Sequence, residues 1–130
     1  MQIEIEHFAL QTPDPDAVAE WYVAHLGFEV KRKGTSSVRA HFLADAGGRV
    51  MIEIYSNPAA PTLDYAAMHP LTLHLAFTVD DTAGTRDRLL EAGATLVDDV
   101  ATSPSGDVLL MLRDPWGLAL QFVKRARPML

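Results

Sequence analysis

The sequence predicts an α+β fold built from two copies of one βαβββ module. The first observation is a repeated segment, because His7-Phe8-Ala9-Leu10 returns as His74-Leu75-Ala76-Phe77, each followed by an acidic turn and a helical stretch. The ends of the two halves also match, since Ile52-Glu53-Ile54-Tyr55 corresponds to Leu120-Gln121-Phe122-Val123. A unit of this length that occurs only twice is a supersecondary module, and it is too long for a solenoid repeat.

The first module is predicted to contain a strand, a helix and three further strands. Residues 2–11 alternate with a period of two, which indicates a strand. Asp14 before Pro15 is typical of a helix N-cap, and Gly27 is typical of a helix end. Further strands are predicted over 28–33, 38–44 and 50–55, with a hairpin turn at 46–48.

The second module repeats this order after a linker. We expect module 1 over about 1–56, the linker over about 57–70 and module 2 over about 71–125, all within one domain, 1–130. One helical turn is expected at 65–68. The second module is predicted to contain a strand at 71–79, a helix from Asp81 or Thr82 to about Ala92, and strands at 95–100, 107–113 and 118–124. Residues 114–117 form the last turn.

Four polar side chains interrupt the apolar pattern at matching positions of the two modules. Large apolar neighbours belong under the helices, so the alternation directs the four toward the opposite, concave face. They are His7, Glu53, His74 and Gln121. A buried carboxylate without a partner is costly, and one divalent ion (Zn, Ni, Fe or Mn) would satisfy two imidazoles, a carboxylate and an amide oxygen. The alternative is a concave site whose polar groups bond one another or an organic ligand.

The chain resembles the vicinal oxygen chelate superfamily (glyoxalase, bleomycin resistance protein and dioxygenase), and within it the glyoxalase I-like proteins. The resemblance extends from His7 to Lys124. It implies an open, half-barrel-like mixed sheet with helices on the outer face. The motifs that carry it are His7-Phe8-Ala9-Leu10, Trp21-Tyr22, Leu26-Gly27-Phe28, His74-Leu75-Ala76-Phe77-Thr78-Val79-Asp80 and Asp114-Pro115-Trp116-Gly117.

The resemblance also implies roles for individual residues. Bacterial-type glyoxalase I uses His, Glu, His and Glu as metal ligands, and the first three are similar to His7, Glu53 and His74. Gln121 replaces the second Glu, which shuttles the proton in that enzyme, and an amide cannot take up a proton at neutral pH. Gln11 replaces an Arg that contacts glutathione, whereas Asn57 matches the companion Asn. The candidates for lining the substrate site are Gln11, Asn57, His41 and Trp116.

The function that these observations favour is a metal-dependent enzyme acting next to a carbonyl of a small oxygen-chelating substrate. Isomerase, epimerase or lyase chemistry is expected, with Glu53 as the catalytic base. One alternative is a non-enzymatic drug- or metabolite-binding protein of the resistance type. Another is an Fe(II)-dependent dioxygenase, because His7, His74 and Glu53 form a two-His-one-carboxylate set.

The composition limits the partners. Hydrophobic residues make up 48% of the chain and the formal net charge is −6, with Lys and Arg scattered, so we expect a globular protein that does not bind nucleic acid. We see no leader and no membrane-spanning run, and the sequence has no cysteine, which favours a cytoplasmic protein. The long, proline-containing linker predicts a homodimer in which each site is shared between two chains.

Overall fold

The computed structural model describes residues 1–130 and contains two α-helices and eight strands. The strands form two open, mixed sheets of four strands each. The chain divides into two compact units, Met1–Leu63 and Asp64–Leu130. Each unit carries one βαβββ module, which confirms the predicted fold class. The assignment of both units to a single domain stays a prediction.

The elements follow the predicted order in both units. Unit 1 contains β1 (His7–Gln11), α1 (Pro15–Leu26), β2 (Glu29–Lys33), β3 (His41–Ala44) and β4 (Met51–Tyr55). Unit 2 contains a short 3₁₀ helix (Tyr65–Ala67), β5 (Leu75–Thr78), α2 (Thr82–Glu91), β6 (Thr95–Thr102), β7 (Val108–Arg113) and β8 (Ala119–Lys124). Neither α-helix combines the length and the apolar character that a membrane span requires.

The two sheets have the same topology. The strand order is β1-β4-β3-β2 in unit 1 and β5-β8-β7-β6 in unit 2. The first and last strands of each module pair in parallel, and all other pairs are antiparallel. A parallel pair needs a long crossover, which the helix and the two intervening strands provide.

Local sequence signals define the two helices. The Asp14 carboxylate accepts a hydrogen bond from the Ala17 N–H, and Gly27 ends α1 in the left-handed conformation with φ of 74°. Asp81 caps α2 in the same way through the Gly84 N–H. These side chains satisfy backbone donors that have no partner inside the helix.

The core of each unit lies between its helix and one face of its sheet. On β4, Ile52 and Ile54 are buried and alternate with half-buried neighbours, as period two requires. In unit 1 this face also contributes Leu10 and Leu43, against Val18 and Tyr22 of α1. In unit 2 the corresponding side chains are Leu110, Leu112, Leu120 and Phe122, with Leu89 of α2.

The first strand of each module is shorter than the alternation predicts. β1 begins at His7, which is paired with Met51, the first residue of β4; the strand ladder therefore does not extend to residues 2–5. Ile3 and Ile5 are accordingly exposed, at 88% and 71%. Phe8, predicted to lie under the helix, is 44% exposed. Periodicity identifies residues that can form a strand, but a strand ends where its partner ends.

The C-terminal segment is attached to the sheet of unit 2 through Asp107. This carboxylate accepts hydrogen bonds from the Ala126 N–H at 2.9 Å and from the Arg125 guanidinium at 3.0 Å. The Ala126 N–H and then the guanidinium lower the pKa of Asp107 below its usual value, because both stabilise the charged form. The C-terminal segment is therefore fixed at its beginning.

The last hairpin turn holds the 3₁₀ helix against the sheet of unit 2. Asp114 is buried and accepts from the Trp116 and Leu118 N–H groups, both at 3.0 Å. Arg113 donates to the carbonyls of Tyr65 and Met68 in the linker. Gly117 has a φ of 93°, and a Cβ atom there would lie 2.6 Å from the Cβ and 2.7 Å from the backbone N of Ala66.

We therefore expect Gly117→Ala to destabilise the protein by about 2–4 kcal/mol, since it adds a steric clash to the cost of a left-handed backbone. Gly27→Ala is the matched control. Its φ is 74° and an added Cβ meets nothing within 4 Å, so only the backbone cost of about 1 kcal/mol remains. Urea denaturation of both variants measures the difference, and equal losses would contradict the close contact at Gly117.

Candidate functional site

Unit 1 brings His7 and Glu53 together on the face of its sheet opposite α1. Glu53 is paired with Ala9 across the parallel strands, and His7 lies two residues earlier on the same face. The His7 Nε2 atom is 3.4 Å from a Glu53 carboxylate oxygen. The side chains are 36% and 21% exposed, so both can be reached by a ligand.

The second nitrogen of His7 also has a partner. Its Nδ1 atom lies 3.0 Å from a Glu6 carboxylate oxygen, and a carboxylate can only accept. A protonated ring donates to both carboxylates. In a neutral ring with its proton on Nδ1, the Nε2 lone pair lies beside the Glu53 oxygen. A cation bound by both atoms would relieve the repulsion between them.

Phe42 and Arg32 complete this face, although the sequence did not identify them. Phe42 is the cross-strand partner of Glu53, and its ring packs edge-on against His7 with centroids 5.5 Å apart. Arg32 on β2 is the cross-strand partner of Phe42, and its guanidinium lies 5.8 Å from the centre of the Phe42 ring. Both lie on the face of Glu53 because of strand register, which the sequence alone does not reveal.

Unit 2 presents His74 and Gln121 in the equivalent arrangement. Gln121 is paired with Ala76 as Glu53 is paired with Ala9, and His74 directly precedes β5, two residues before Ala76. The His74 Nδ1 atom lies 2.8 Å from the Pro70 carbonyl oxygen. A carbonyl only accepts, so Nδ1 is the donor in this contact, and the tautomer protonated there has its lone pair on Nε2.

Each unit thus holds two of the four predicted metal donors. No group of three or more His, Cys, Asp and Glu side chains in the structure could hold a metal ion. Imidazole nitrogen, carboxylate oxygen and amide oxygen are each donor types that Zn, Ni, Fe or Mn accept. The occupied Nδ1 atoms fit such a role, because metal-binding histidines usually bond an acceptor through their second nitrogen.

Gln11 and Asn57 support the loop that follows β4. The Gln11 amide is buried and donates to the carbonyls of Ala60 at 2.6 Å and Pro61 at 3.3 Å, while its oxygen accepts from the Asn57 N–H. Asn57 in turn accepts from the Ala59 N–H at 2.9 Å. The Gln11 side chain is therefore engaged with the backbone of its own unit.

His41 lies on the opposite face of the sheet from Glu53. It is paired with Ile54 on the helix side and is 4% exposed. Its ring nitrogens contact the Arg39 carbonyl at 2.7 Å and an Asp16 carboxylate oxygen of α1 at 3.3 Å. Trp116 is half-buried in the last hairpin turn.

Unit 2 also contains a cavity of about 580 Å³ beside the free edge of β5. The C-terminal segment covers one side of it, and the ends of β5 and β8 form the other. Its lining includes Ala76, Phe77, Val79, Val123, Pro128 and Leu130. The volume lies in the range of small-molecule pockets, and the lining is mainly apolar.

The comparison with protein families agrees with the resemblance found in the sequence. The model of the Glyoxalase/Bleomycin resistance protein/Dioxygenase superfamily matches residues 4–122. A search among curated proteins found no match.

Solved structures share the fold over at least 94% of this chain. SMU.1112c is 27% identical, with a TM-score of 0.74 over 95% of this chain and 100% of its own. TnmS3, an antibiotic binding protein from Streptomyces sp. CB03234, is 19% identical, with a TM-score of 0.73 over 96% and 98% of the two chains. A family enzyme from Burkholderia phytofirmans PsJN is 18% identical, with a TM-score of 0.76 over 94% and 98%. Since the family model spans most of the sequence, the chain belongs to the Glyoxalase/Bleomycin resistance protein/Dioxygenase superfamily.

Proposed function

We propose that the protein is a metal-dependent enzyme that acts next to a carbonyl of a small oxygen-chelating substrate. The observation that carries the proposal is the equivalence of two half-sites, the pair His7 and Glu53 in unit 1 and the pair His74 and Gln121 in unit 2. Glu53 and Gln121 have equivalent pairing partners, Ala9 and Ala76, and each histidine lies two residues before that partner, with an acceptor at its Nδ1 atom: the Glu6 carboxylate for His7 and the Pro70 carbonyl for His74. The repeat of these positions in both units supports a common role for the four side chains.

In this proposal His7, Glu53, His74 and Gln121 hold one divalent ion, Zn, Ni, Fe or Mn. When bound, the ion supplies a positive charge that stabilises negative charge on a substrate oxygen. The Phe42 ring beside His7 excludes water from one side of the half-site. It also limits the rotation of the imidazole.

Glu53 is the base in the proposed reaction, in which its carboxylate leaves the ion when the substrate arrives. Glu53 is the only carboxylate among the four proposed donors, so it can accept a proton, whereas the Gln121 amide cannot do so at neutral pH. Removal of a proton from the carbon next to a carbonyl leaves that proton on a Glu53 oxygen. Its return to the same or a neighbouring carbon gives epimerisation or isomerisation, and loss of a leaving group gives lyase chemistry.

A second candidate function is the binding of a drug or metabolite without chemistry. The apolar cavity of about 580 Å³ in unit 2 favours it, because its size suits a small organic molecule. TnmS3, which shares the fold, is described as an antibiotic binding protein. Metal content separates the two candidates, since the binding function needs no ion.

We expect the purified protein to contain one equivalent of a divalent metal per chain, measured by elemental analysis. His7→Ala and His74→Ala should each lower the metal affinity at least about tenfold, because each removes a donor. His69→Ala is the control, as His69 is exposed and its Nδ1 accepts from the Leu71 N–H. Metal content that stays the same in both donor variants would exclude the proposed site.

We expect little or no glyoxalase I activity on methylglyoxal with glutathione. Gln121 cannot serve as the proton-shuttling base, and the Gln11 side chain is engaged by loop carbonyls instead of being available to glutathione. If the missing base is the cause, Gln121→Glu should raise any trace activity by about tenfold or more. Gln2→Glu makes the same chemical change at an exposed position and should have no effect. Fast turnover by the unmodified protein would disprove this prediction.

We also propose that the protein is a homodimer in which each site is shared. Four apolar side chains near the first strands would be covered by a partner chain. Ile3, Ile5 and Leu71 are 88%, 71% and 78% exposed, and Leu73 is half-buried. In this assembly His7 and Glu53 of one chain complete a site with His74 and Gln121 of the other.

Light scattering at micromolar concentration should therefore give the mass of a dimer, whereas a monomer would exclude the assembly. Chains carrying His7→Ala, mixed by co-refolding with chains carrying His74→Ala, test the sharing of sites. A shared arrangement restores one intact metal site in each heterodimer, because both remaining donor pairs then meet. Sites within one chain predict that no heterodimer regains metal.

A further inference from the structure

Arg32 lies on the same face of the unit 1 sheet as Glu53 because of a β-bulge. The register shifts between Val30, which pairs with Leu43, and Arg32, which pairs with Phe42. Without the extra residue, the alternation from Val30 would turn Arg32 toward the helix side. The bulge thus directs the guanidinium to the face of the half-site, a known role of bulges beside functional sites.

The Arg32 guanidinium has no ion pair in the structure. Its contact is with the Phe42 ring, 5.8 Å from the centroid, and the side chain is exposed. By contrast, Arg39, Arg86 and Arg125 each bond a carboxylate at 2.9–3.1 Å. A ring contact restricts the guanidinium and leaves its N–H donors available for an external acceptor.

The equivalent residue of unit 2 has the opposite charge. A register shift at the matching point of β6 pairs Asp98 with Met111, which in turn pairs with Gln121. In unit 1 the cross-strand partners of Glu53 run through Phe42 to Arg32 at the sheet edge. In unit 2 the partners of Gln121 run through Met111 to Asp98. Since both units have a register shift at this point, the shift itself does not require a cation there.

We propose that Arg32 is a specificity-determining residue that binds an anionic group of the substrate, a carboxylate or a phosphoryl group. The substrate class is then a small acid that also carries the chelating oxygens. The planar fork of a guanidinium matches either anion through two parallel hydrogen bonds. This inference rests on the proposed function, because it places the anion beside the same metal half-site.

The test uses the protein loaded with cobalt(II), whose visible spectrum reports direct binding of a chelator. Acetohydroxamate is the neutral chelating probe. The acidic probes are the monohydroxamates of succinic, glutaric and adipic acid, compared with their methyl esters, and phosphonoacetohydroxamate tests the phosphoryl group. We expect at least one acid to bind about tenfold or more tightly than its ester, as a charge-assisted hydrogen bond predicts.

Variants of Arg32 test whether this side chain causes the tighter binding of the acid. Arg32→Gln should abolish the preference for the acid without changing the affinity for acetohydroxamate, and Arg32→Lys should keep part of it. Arg49→Gln removes the same charge from an exposed turn of the same unit and should leave the preference intact.

The outcomes separate the two proposals. If acetohydroxamate perturbs the cobalt spectrum but acids and esters bind equally, or if the preference survives in Arg32→Gln, the role of Arg32 is wrong and the metal site stands. If cobalt does not bind, or if no hydroxamate changes its spectrum, the proposed function fails, and the role of Arg32 fails with it.

Discussion

The parallel pairing of the first and last strands is the constraint on which each unit depends. It forces the helix and two strands into the crossover, so that one face of the sheet is covered by the helix and the other is left for polar residues. Its register sets Ala9 opposite Glu53 and Ala76 opposite Gln121. A slip of one residue would turn Glu53 into the apolar core, where an unpaired carboxylate is costly, so core packing and site geometry specify the same register.

The local features of the fold could be predicted from the sequence because their causes are local. Asp14 and Asp81 cap the helices through side-chain oxygens a few residues from the donors they satisfy, and Gly27 takes the left-handed conformation that ends α1. The strand starts could not be predicted in this way. Residues 2–6 alternate like a strand, yet β1 begins at His7 because its partner strand β4 begins at Met51, the residue paired with His7.

The candidate site was predictable to the extent that it repeats. Matching positions identified His7, Glu53, His74 and Gln121, and the pairing of Glu53 with Ala9 corresponds to that of Gln121 with Ala76; their joint role as metal ligands stays a prediction. The faces of single residues were not predictable. His41 turns to Asp16 on the helix side, whereas its neighbour Phe42 lies beside His7. The face on which each of these two residues lies depends on the pairing of β3 with β4. The face of Arg32 depends in addition on the bulge in β2.

The one carboxylate among the four proposed donors has an electrostatic consequence. Two carboxylates would neutralise a divalent ion, whereas Glu53 with the neutral Gln121 leaves one positive charge for the substrate. That charge favours an oxygen that becomes negative during proton removal, and it favours an acidic substrate in a chain whose formal net charge is −6. Arg32 adds a second cation on the same face as Glu53. In the proposed site, Gln121 in place of a second carboxylate would therefore remove a base and also add to the attraction of Arg32 for an anionic substrate.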